Sequence, residues 1–471
     1  MSELADGMIL LPTSDRKKWI YASPRMGINL FMGIVDFVLL FLYKEVYNLD
    51  AILVGIALML GKLAIALAQF LIAWLSDHTK TRWGRRKPYL IIMSPILALS
   101  FIMLILPSLI LGPSPEETIL FSWFAGFNML AQSCYAVTSV YHSWTAEQFL
   151  VQERPRVSQY QNLFNFVGLG AIILMSFLVL PNVKVELARD PTKIPPLFMT
   201  LILLFAAVLI GLMYAVAFYM PVEKTPIYQT HYKEELIRLV KNKNFMSAVF
   251  MHGFGSLAWA MINGIMLGYL TVVLNLEGTT FYIIAGVLAI TLVGSLAVWR
   301  KSIETSGKKK TLLFIFGSGA ILYPLSMLGL LPISVNPIFA IFFVFLLAST
   351  QSGWSLFPYI IYADLAEDHQ KQHGELSAGL FTGFPSILLN IFQAISLYFS
   401  GLLLSLPEVG NVMGNCFSLG YVLWGPICSV IFIITVLFVN KDIKLDFEWE
   451  KKASNQPQNA ENNSNKKGGT E

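Results

Sequence analysis

The chain has 471 residues, 55% of them hydrophobic and only 13% charged, with a mean hydropathy of +0.63. No water-facing globular surface can be built from that composition, which excludes a soluble protein. The formal net charge of +4 marks no nucleic-acid partner, because in a membrane chain the placement of charge says more than its sum.

A spanning helix rises about 1.5 Å per residue through about 30 Å of hydrocarbon and so needs about 20 apolar residues. Runs of that length lie at 25–47, 51–75, 88–111, 118–143, 158–181, 196–220, 246–276, 280–299, 311–332, 336–361, 378–406 and 411–439. β-Barrel alternation is absent, so these twelve runs predict an all-α polytopic membrane protein in a lipid bilayer. Residues 1–24 lack a basic segment followed by an apolar core and a small-residue cleavage site, and the first span is expected to act as a signal-anchor.

The longest internal polar stretch, 221–245, separates the sixth and seventh runs, and Leu236, Ile237 and Val240 interrupt its charges at helical spacing. It predicts an amphipathic linker helix between six-helix halves at 25–220 and 246–439. Residues 440–471 have almost no apolar side chain after Trp449, a composition expected to stay disordered. Cys134, Cys416 and Cys428 fall in apolar runs without disulfide or zinc spacing and read as small core residues.

Basic residues set the orientation. With the N-terminus inside, 28 of the 33 Lys and Arg fall on inner segments; Lys44, Lys184, Arg189 and Lys193 lie outside and Lys62 in the membrane. The positive-inside rule therefore predicts both termini in the cytoplasm.

The loop between the second and third runs reads Ser76-Asp77-His78-Thr79-Lys80-Thr81-Arg82-Trp83-Gly84-Arg85-Arg86-Lys87-Pro88-Tyr89. An acid at a helix end, a glycine turn and a basic cluster suit a latch, in which Asp77 bonds basic groups or helix termini of a neighbour in one conformation and releases them in another. Plain anchoring by positive charge explains the basic residues but not the placement of Asp77 and Gly84. A weaker echo, Trp299-Arg300-Lys301 through Gly307-Lys308-Lys309-Lys310, lies between the eighth and ninth runs. It suggests parallel structural repeats around a central cavity.

The run from Asp77 to Tyr89 resembles the D-x-T-x-[ST]-R-[WF]-G-[RK]-x-[KR]-P-[WYF] signature of the glycoside-pentoside-hexuronide:cation symporters. That branch of the major facilitator superfamily contains melibiose permease and, more distantly, sucrose carriers. Tyr43-Lys44-Glu45-Val46 is similar to the family's Y-T-D-V. The segment Val140-Tyr141-His142-Ser143-Trp144-Thr145-Ala146-Glu147, followed by Glu153-Arg154, Arg156-Val157 and Tyr160, resembles P-Y-x-A-L-x-P-E and E-R-x-R-L-x-x-Y. Ala363-Asp364-Leu365-Ala366-Glu367, His373-Gly374-Glu375 and Gly379-Leu380-Phe381-Thr382-Gly383 resemble A-D-x-x-D, T-G-E and G-x-F-x-G. The resemblance spans nearly the whole chain. It implies a major facilitator fold with twelve transmembrane helices in two six-helix bundles, and gating roles for Asp77, Arg82, Gly84, Arg86, Glu147, Arg154 and Asp364.

The departures bear on coupling. Counted from the matched motifs, the two span-two aspartates of the family's sodium site fall on Ile65 and Gln69, and the span-four aspartate on Thr138. The family's sugar-binding aspartate of span one falls on Asn29 and its span-eleven lysine on Asn390. A hard cation needs anionic oxygens, so sodium coupling through that site is not expected.

Within the spans the ionisable pair is Asp36 and Lys62. Each costs about 2.5–3.5 kcal/mol when unpaired at the membrane centre. Asp36 precedes Leu49 by 13 residues and Lys62 follows it by 13, so a helical hairpin turning there brings both to about 20 Å from the turn. Proton binding to Asp36 would break such a pair and bias alternating access. A permanent structural pair, or two side chains on different faces that never meet, are the alternatives. His142 and His252 are further proton carriers by residue type, although a lone histidine in a span is more often a packing residue.

A sugar site needs hydrogen-bonding side chains around an aromatic platform. By depth in the spans the candidates are Asn29, Asn128, Gln132, Thr138, Asn162, Asn165, Trp259, Asn263, Gln351, Trp354, Asn390 and Gln393. Asn and Gln also join helices in lipid for about 0.6 kcal/mol each, so part of this set is expected to be structural. Taken with the resemblance, the expectation is a monomeric secondary transporter of the cell membrane that moves a sugar or glycoside, with protons as the coupling ion. Nothing resembling a P-loop, metal cluster or nucleophile triad occurs, so no enzyme activity, cofactor or metal is expected. A lysolipid carrier of the same superfamily and a non-transporting membrane sensor are the alternative readings.

Overall fold

The computed structural model describes residues 13–112, 115–149, 153–189, 194–222, 232–276, 278–331, 336–373, 378–410 and 416–445. The terminal segments 1–12 and 446–471 and the linker residues 223–231 lie outside the described residues. Over its described residues, each apolar run up to 378–406 becomes a helix or a broken pair of helices. In the first half these are α1 (Asp15–Ala22), α2 (Pro24–Phe37), α3 (Ala51–His78), α4 (Lys87–Ile105), α5 (Glu117–Tyr135), α6 (Val137–Gln148), α7 (Arg154–Leu178), α8 (Leu180–Arg189) and α9 (Pro196–Tyr219). The linker carries α10 (Tyr232–Lys241), in which Leu239 is buried while Ile237 and Val240 are exposed. The second half comprises α11 (Lys243–Gly268), α12 (Gly278–Ser306), α13 (Lys308–Leu322), α14 (Pro337–His373), α15 (Ala378–Leu404) and α16 (Gly420–Asp442).

Among the described residues nine helices are long and apolar enough to cross a membrane, and a tenth is formed if Asp15–Phe37 and Leu39–Val46, bent by 45°, make one span. The α5–α6 pair and α7 fill the fourth and fifth span positions with lower hydropathy, because Asn128, Gln132, Asn162 and Asn165 interrupt their apolar sequence. Local chemistry starts the helices. Ser14 accepts from the Lys17 N–H at the head of α1, and Asp50 Oδ1 accepts from Ile52 and Leu53 at the head of α3.

The twelfth span begins later than its apolar run. Residues 408–418 include two short antiparallel strands, β1 (Glu408–Gly410) and β2 (Cys416–Ser418), with Val409 opposite Phe417. Pro407 and Gly410 interrupt helix, and the helix starts only at Gly420. The hairpin also corrects the reading of Cys416, which is exposed, whereas Cys134 and Cys428 are buried.

The two halves repeat each other in backbone detail. α2 continues into a π-helical turn at Leu42–Val46, and α11 into one at Tyr269–Val273. Each turn ends on an asparagine in the left-handed region, Asn48 (φ 54°) and Asn275 (φ 46°), a conformation asparagine tolerates better than most residues. Tyr47 and Leu49 N–H donate to Leu42 and Tyr43 O; Leu274 and Leu276 donate to Tyr269 and Leu270 in the same register. Left-handed glycines, Gly84 (φ 88°) and Gly307 (φ 87°), turn the equivalent loops before α4 and α13.

The halves meet along three lines, α3 against α15, α2 against α11, and α7 against α12. The first is the closest. A Cβ built on Gly55 would lie 3.0 Å from the Gly401 Cα, so small residues let the two backbones touch.

Candidate functional site

Arg25, Asn29 and Asp36 recur on one face of α2 at intervals of four and seven residues. Each reaches a different helix of the first half. Arg25 Nη1 lies 2.9 Å from His142 Nε2 on α6, and Asn29 Nδ2 donates to the Asn165 carbonyl of α7 at 2.6 Å. Lys62 Nζ, from α3, donates to Asp36 Oδ1 at 2.9 Å. The pair is asymmetric: the Lys62 side chain is 1% exposed and that of Asp36 32%. The ammonium is therefore sealed inside the bundle and depends on Asp36 for its counter-charge, while the carboxylate stays partly exposed, one residue before Phe37 of the cleft wall described below. This is a hydrogen-bonded ion pair that a proton on Asp36 would weaken.

The second half presents a matching face. His252 and Asn263 stand on α11 with the spacing that Arg25 and Asp36 have on α2. His252 Nδ1 lies 2.9 Å from Tyr362 Oη, and Gln351 Nε2 on α14 donates to Asn263 Oδ1 at 2.8 Å. A cleft opens between these faces, bounded by Phe37, Ile172 and Ser176 from the first half and by Ile262, Asn263, Leu288 and Gln351 from the second. Ten of its thirteen lining residues are apolar. Its free volume of about 40 Å³ admits a few waters and no sugar ring.

The expected site residues divide into those the fold brings to the inter-bundle boundary and those it turns inward. Asn390 is at the boundary: its Nδ2 lies 3.4 Å from Gln69 Oε1 of α3, which also accepts from Ser386 Oγ at 2.7 Å. Asp36, Lys62, Asn29 and Asn165 join α2 to α3 and α7. Gln132 and Thr138 are 0% and 3% exposed inside the first bundle; both amide atoms of Gln132 lack a hydrogen-bond partner among the described residues. Trp259 packs against Tyr323 and Phe432, and Trp354 against Phe316 and His252, both within the second bundle. None of Gln132, Thr138, Trp259 and Trp354 lines the cleft. Depth in the membrane does not specify which side of a helix faces the partner bundle.

At the end that carries the termini, Arg86 is 4% exposed and donates to Ser76 Oγ at 2.6 Å, tying the loop to α3. Arg82 lies over the Trp83 ring, and Thr81 Oγ1 donates to the Gly84 carbonyl. Asp364 Oδ2 accepts from Lys308 Nζ at 2.6 Å, joining α14 to α13. The side chains of Asp77, Glu147 and Arg154 lie outside the described residues. Beside Arg154, Glu153 accepts from Lys18 at 3.0 Å and from both N–H and Oγ1 of Thr13 at 2.8 Å, while Asp15 pairs with Arg156. Burial opposes the Glu153 charge, but Lys18 and Thr13 outweigh it and hold the carboxyl below its usual range. These bonds clamp α1 onto the start of α7. The sequence pattern does not mark Arg25, Gln69 and Ser386 as ligands. Arg25 reads as one of the inner basic residues, and the Gln69–Ser386 contact joins residues far apart in the chain.

A family model described as MFS/sugar transport protein matches residues 20–415. An uncharacterized symporter of Synechocystis sp. is 28% identical over 167 residues, 34% of this chain and 30% of that protein. An isoprimeverose transporter of Lactiplantibacillus pentosus is 25% identical over 176 residues, 37% of this chain and 35% of that protein. The match thus spans about a third of the length of these curated relatives. A crystal structure of a D-xylose–proton symporter superposes with a TM-score of 0.65 at 11% identity, covering 90% of this chain and 98% of that one; at that identity the likeness shows the fold. With a helical fold of two repeated halves and a family match over most of its length, the chain belongs to the MFS/sugar transport protein family.

Proposed function

We propose that this multi-pass membrane protein is a secondary transporter that moves a sugar or glycoside by alternating access of the central cleft, in symport with protons. The observation that carries the coupling is the Asp36–Lys62 pair, a sealed ammonium whose carboxylate partner is partly exposed and next in sequence to Phe37 of the cleft wall. Protonation of Asp36 removes the counter-charge of Lys62 and so biases the packing of α2 on α3, the two helices the pair joins. Asn29, Asn165, Asn390, Asn263 and Gln351 supply amides at or near the boundary for substrate hydroxyls. The termini face the cytoplasm of a cell-membrane protein that works as a monomer, with bundles at 25–220 and 246–439. Asp77, Arg82, Gly84, Arg86, Glu147, Arg154 and Asp364 gate its inner side.

The test is reconstitution into liposomes holding an internal pH dye, challenged with a panel of glycosides, pentosides and hexuronates. Sugar-dependent acidification that is lost in Asp36→Asn supports the reading; sugar uptake without proton movement, unchanged in Asp36→Asn, removes the coupling proposal and leaves the pair structural. A second reading, an amphiphile carrier, is favoured by the apolar lining of the cleft. Failure of every sugar combined with uptake of a lysolipid would establish it.

A further inference from the structure

At the end opposite the termini one charged contact crosses between the bundles. Glu45, on the π-helical turn that follows α2, accepts from the Tyr421 hydroxyl of α16 at 2.6 Å. The same carboxylate accepts from Lys44 at 2.9 Å and from Lys184 of α8 at 2.9 Å, both within the first half. Lys44 also stands over the Tyr421 ring, 5.2 Å from its centroid. Tyr421 is 1% exposed, and its ring lies against Gly268 at the end of α11, where no side chain would fit. This inter-bundle bond carries a charge, whereas those of Gln69 to Ser386 and Asn390 are neutral.

The surroundings of Glu45 fit a contact that is made and broken. When Tyr421 withdraws, Lys44 and Lys184 stay with the carboxylate, so separation strands no buried charge and its cost is one charge-assisted hydrogen bond and the contact of Lys44 with the ring. In the repeat register the counterpart of Glu45 is Val272, on the π-helical turn after α11. The acid is therefore not required to build the turn. We propose that Glu45 and Tyr421 are a latch that closes this end of the molecule, and that each transport cycle breaks their bond while the two lysines keep Glu45 paired. The proposal rests on the alternating access proposed above and concerns the side away from the inner gating residues.

The test uses Ser176→Cys, on the cleft wall, as a reporter in the full-length chain with Cys134, Cys416 and Cys428 replaced by serine. Its rate of modification by a membrane-impermeant cationic methanethiosulfonate is read in intact cells and in inverted vesicles. Tyr421→Phe keeps the ring and its packing, and removes only the hydroxyl; Glu45→Gln keeps the shape and removes the charge. Each should raise the rate from outside by about ten-fold or more, the worth of a hydrogen bond to a charged group, while Glu45→Asp should recover most of the native rate. Unchanged rates from both sides in the two variants overturn the latch. A rise seen only in inverted vesicles keeps the latch and overturns the proposed orientation. The assay needs no transported substrate, so its outcome is separate from that of the sugar panel. Size-exclusion profiles of the variants confirm folding, and if one is lost the other decides.

Discussion

Removing either member of the Asp36–Lys62 pair should have unequal consequences, and the burial of the two groups sets the inequality. Asp36→Asn leaves an ammonium that is 1% exposed with its counter-charge gone, a loss of about 3–5 kcal/mol for a broken buried pair. Lys62→Met leaves a carboxylate that is 32% exposed and can keep part of its hydration, which should limit the cost to about half of that. The double variant removes both charges and should lie within about 1 kcal/mol of the native protein, because the attraction between buried charges is largely offset by their desolvation. The measurement is unfolding of the purified protein in one detergent across a denaturant series, followed by tryptophan fluorescence. The expected order of stability is native and double variant together, then Lys62→Met, then Asp36→Asn. Lys62→Met as damaging as Asp36→Asn, or a double variant no better than the worse single one, would refute the reasoning.

Glu153 should make the clamp of α1 on α7 sensitive to acid. Its folded-state value is depressed from 4.5, so the clamp's contribution is complete above that value and fades as pH falls through the lower folded one. A melting profile against pH should lose its acidic decline in part in Glu153→Gln, and an unaltered profile would count against the clamp. At the α3–α15 line, a Cβ on Gly401 would lie 2.5 Å from the Ala51 carbonyl and 2.9 Å from the Gly55 Cα, backbone atoms that cannot rotate away. Gly401→Ala should therefore cost about 1–3 kcal/mol, whereas Gly126→Ala on α5, with nothing within 4 Å, should leave stability unchanged or raise it, both read by thermal melting.

The helices, their number and the repeat were legible in the chain because the bilayer imposes a length on every apolar run, and because the turn residues Gly84 and Gly307 recur in equivalent loops. The depth match of Asp36 and Lys62 was legible for the same reason, because both stand 13 residues from one turn at Leu49. The limits were also local. The run at 411–439 was continuous enough in composition to read as helix throughout, and only pairing of Val409 with Phe417 separates the hairpin from α16.

Rotation of each helix about its own axis was decided by packing alone. Composition placed Gln132, Thr138, Trp259 and Trp354 at the depth of a substrate, and the fold turned them into the bundle interiors. The same packing set Gln69 against Ser386 and Glu45 against Tyr421, residues more than 300 positions apart. A membrane sequence determines which segments cross and how deep each residue lies, because hydrocarbon thickness acts on every helix separately. Which face meets the other bundle depends on the joint fit of all twelve, and that information resides in no single helix.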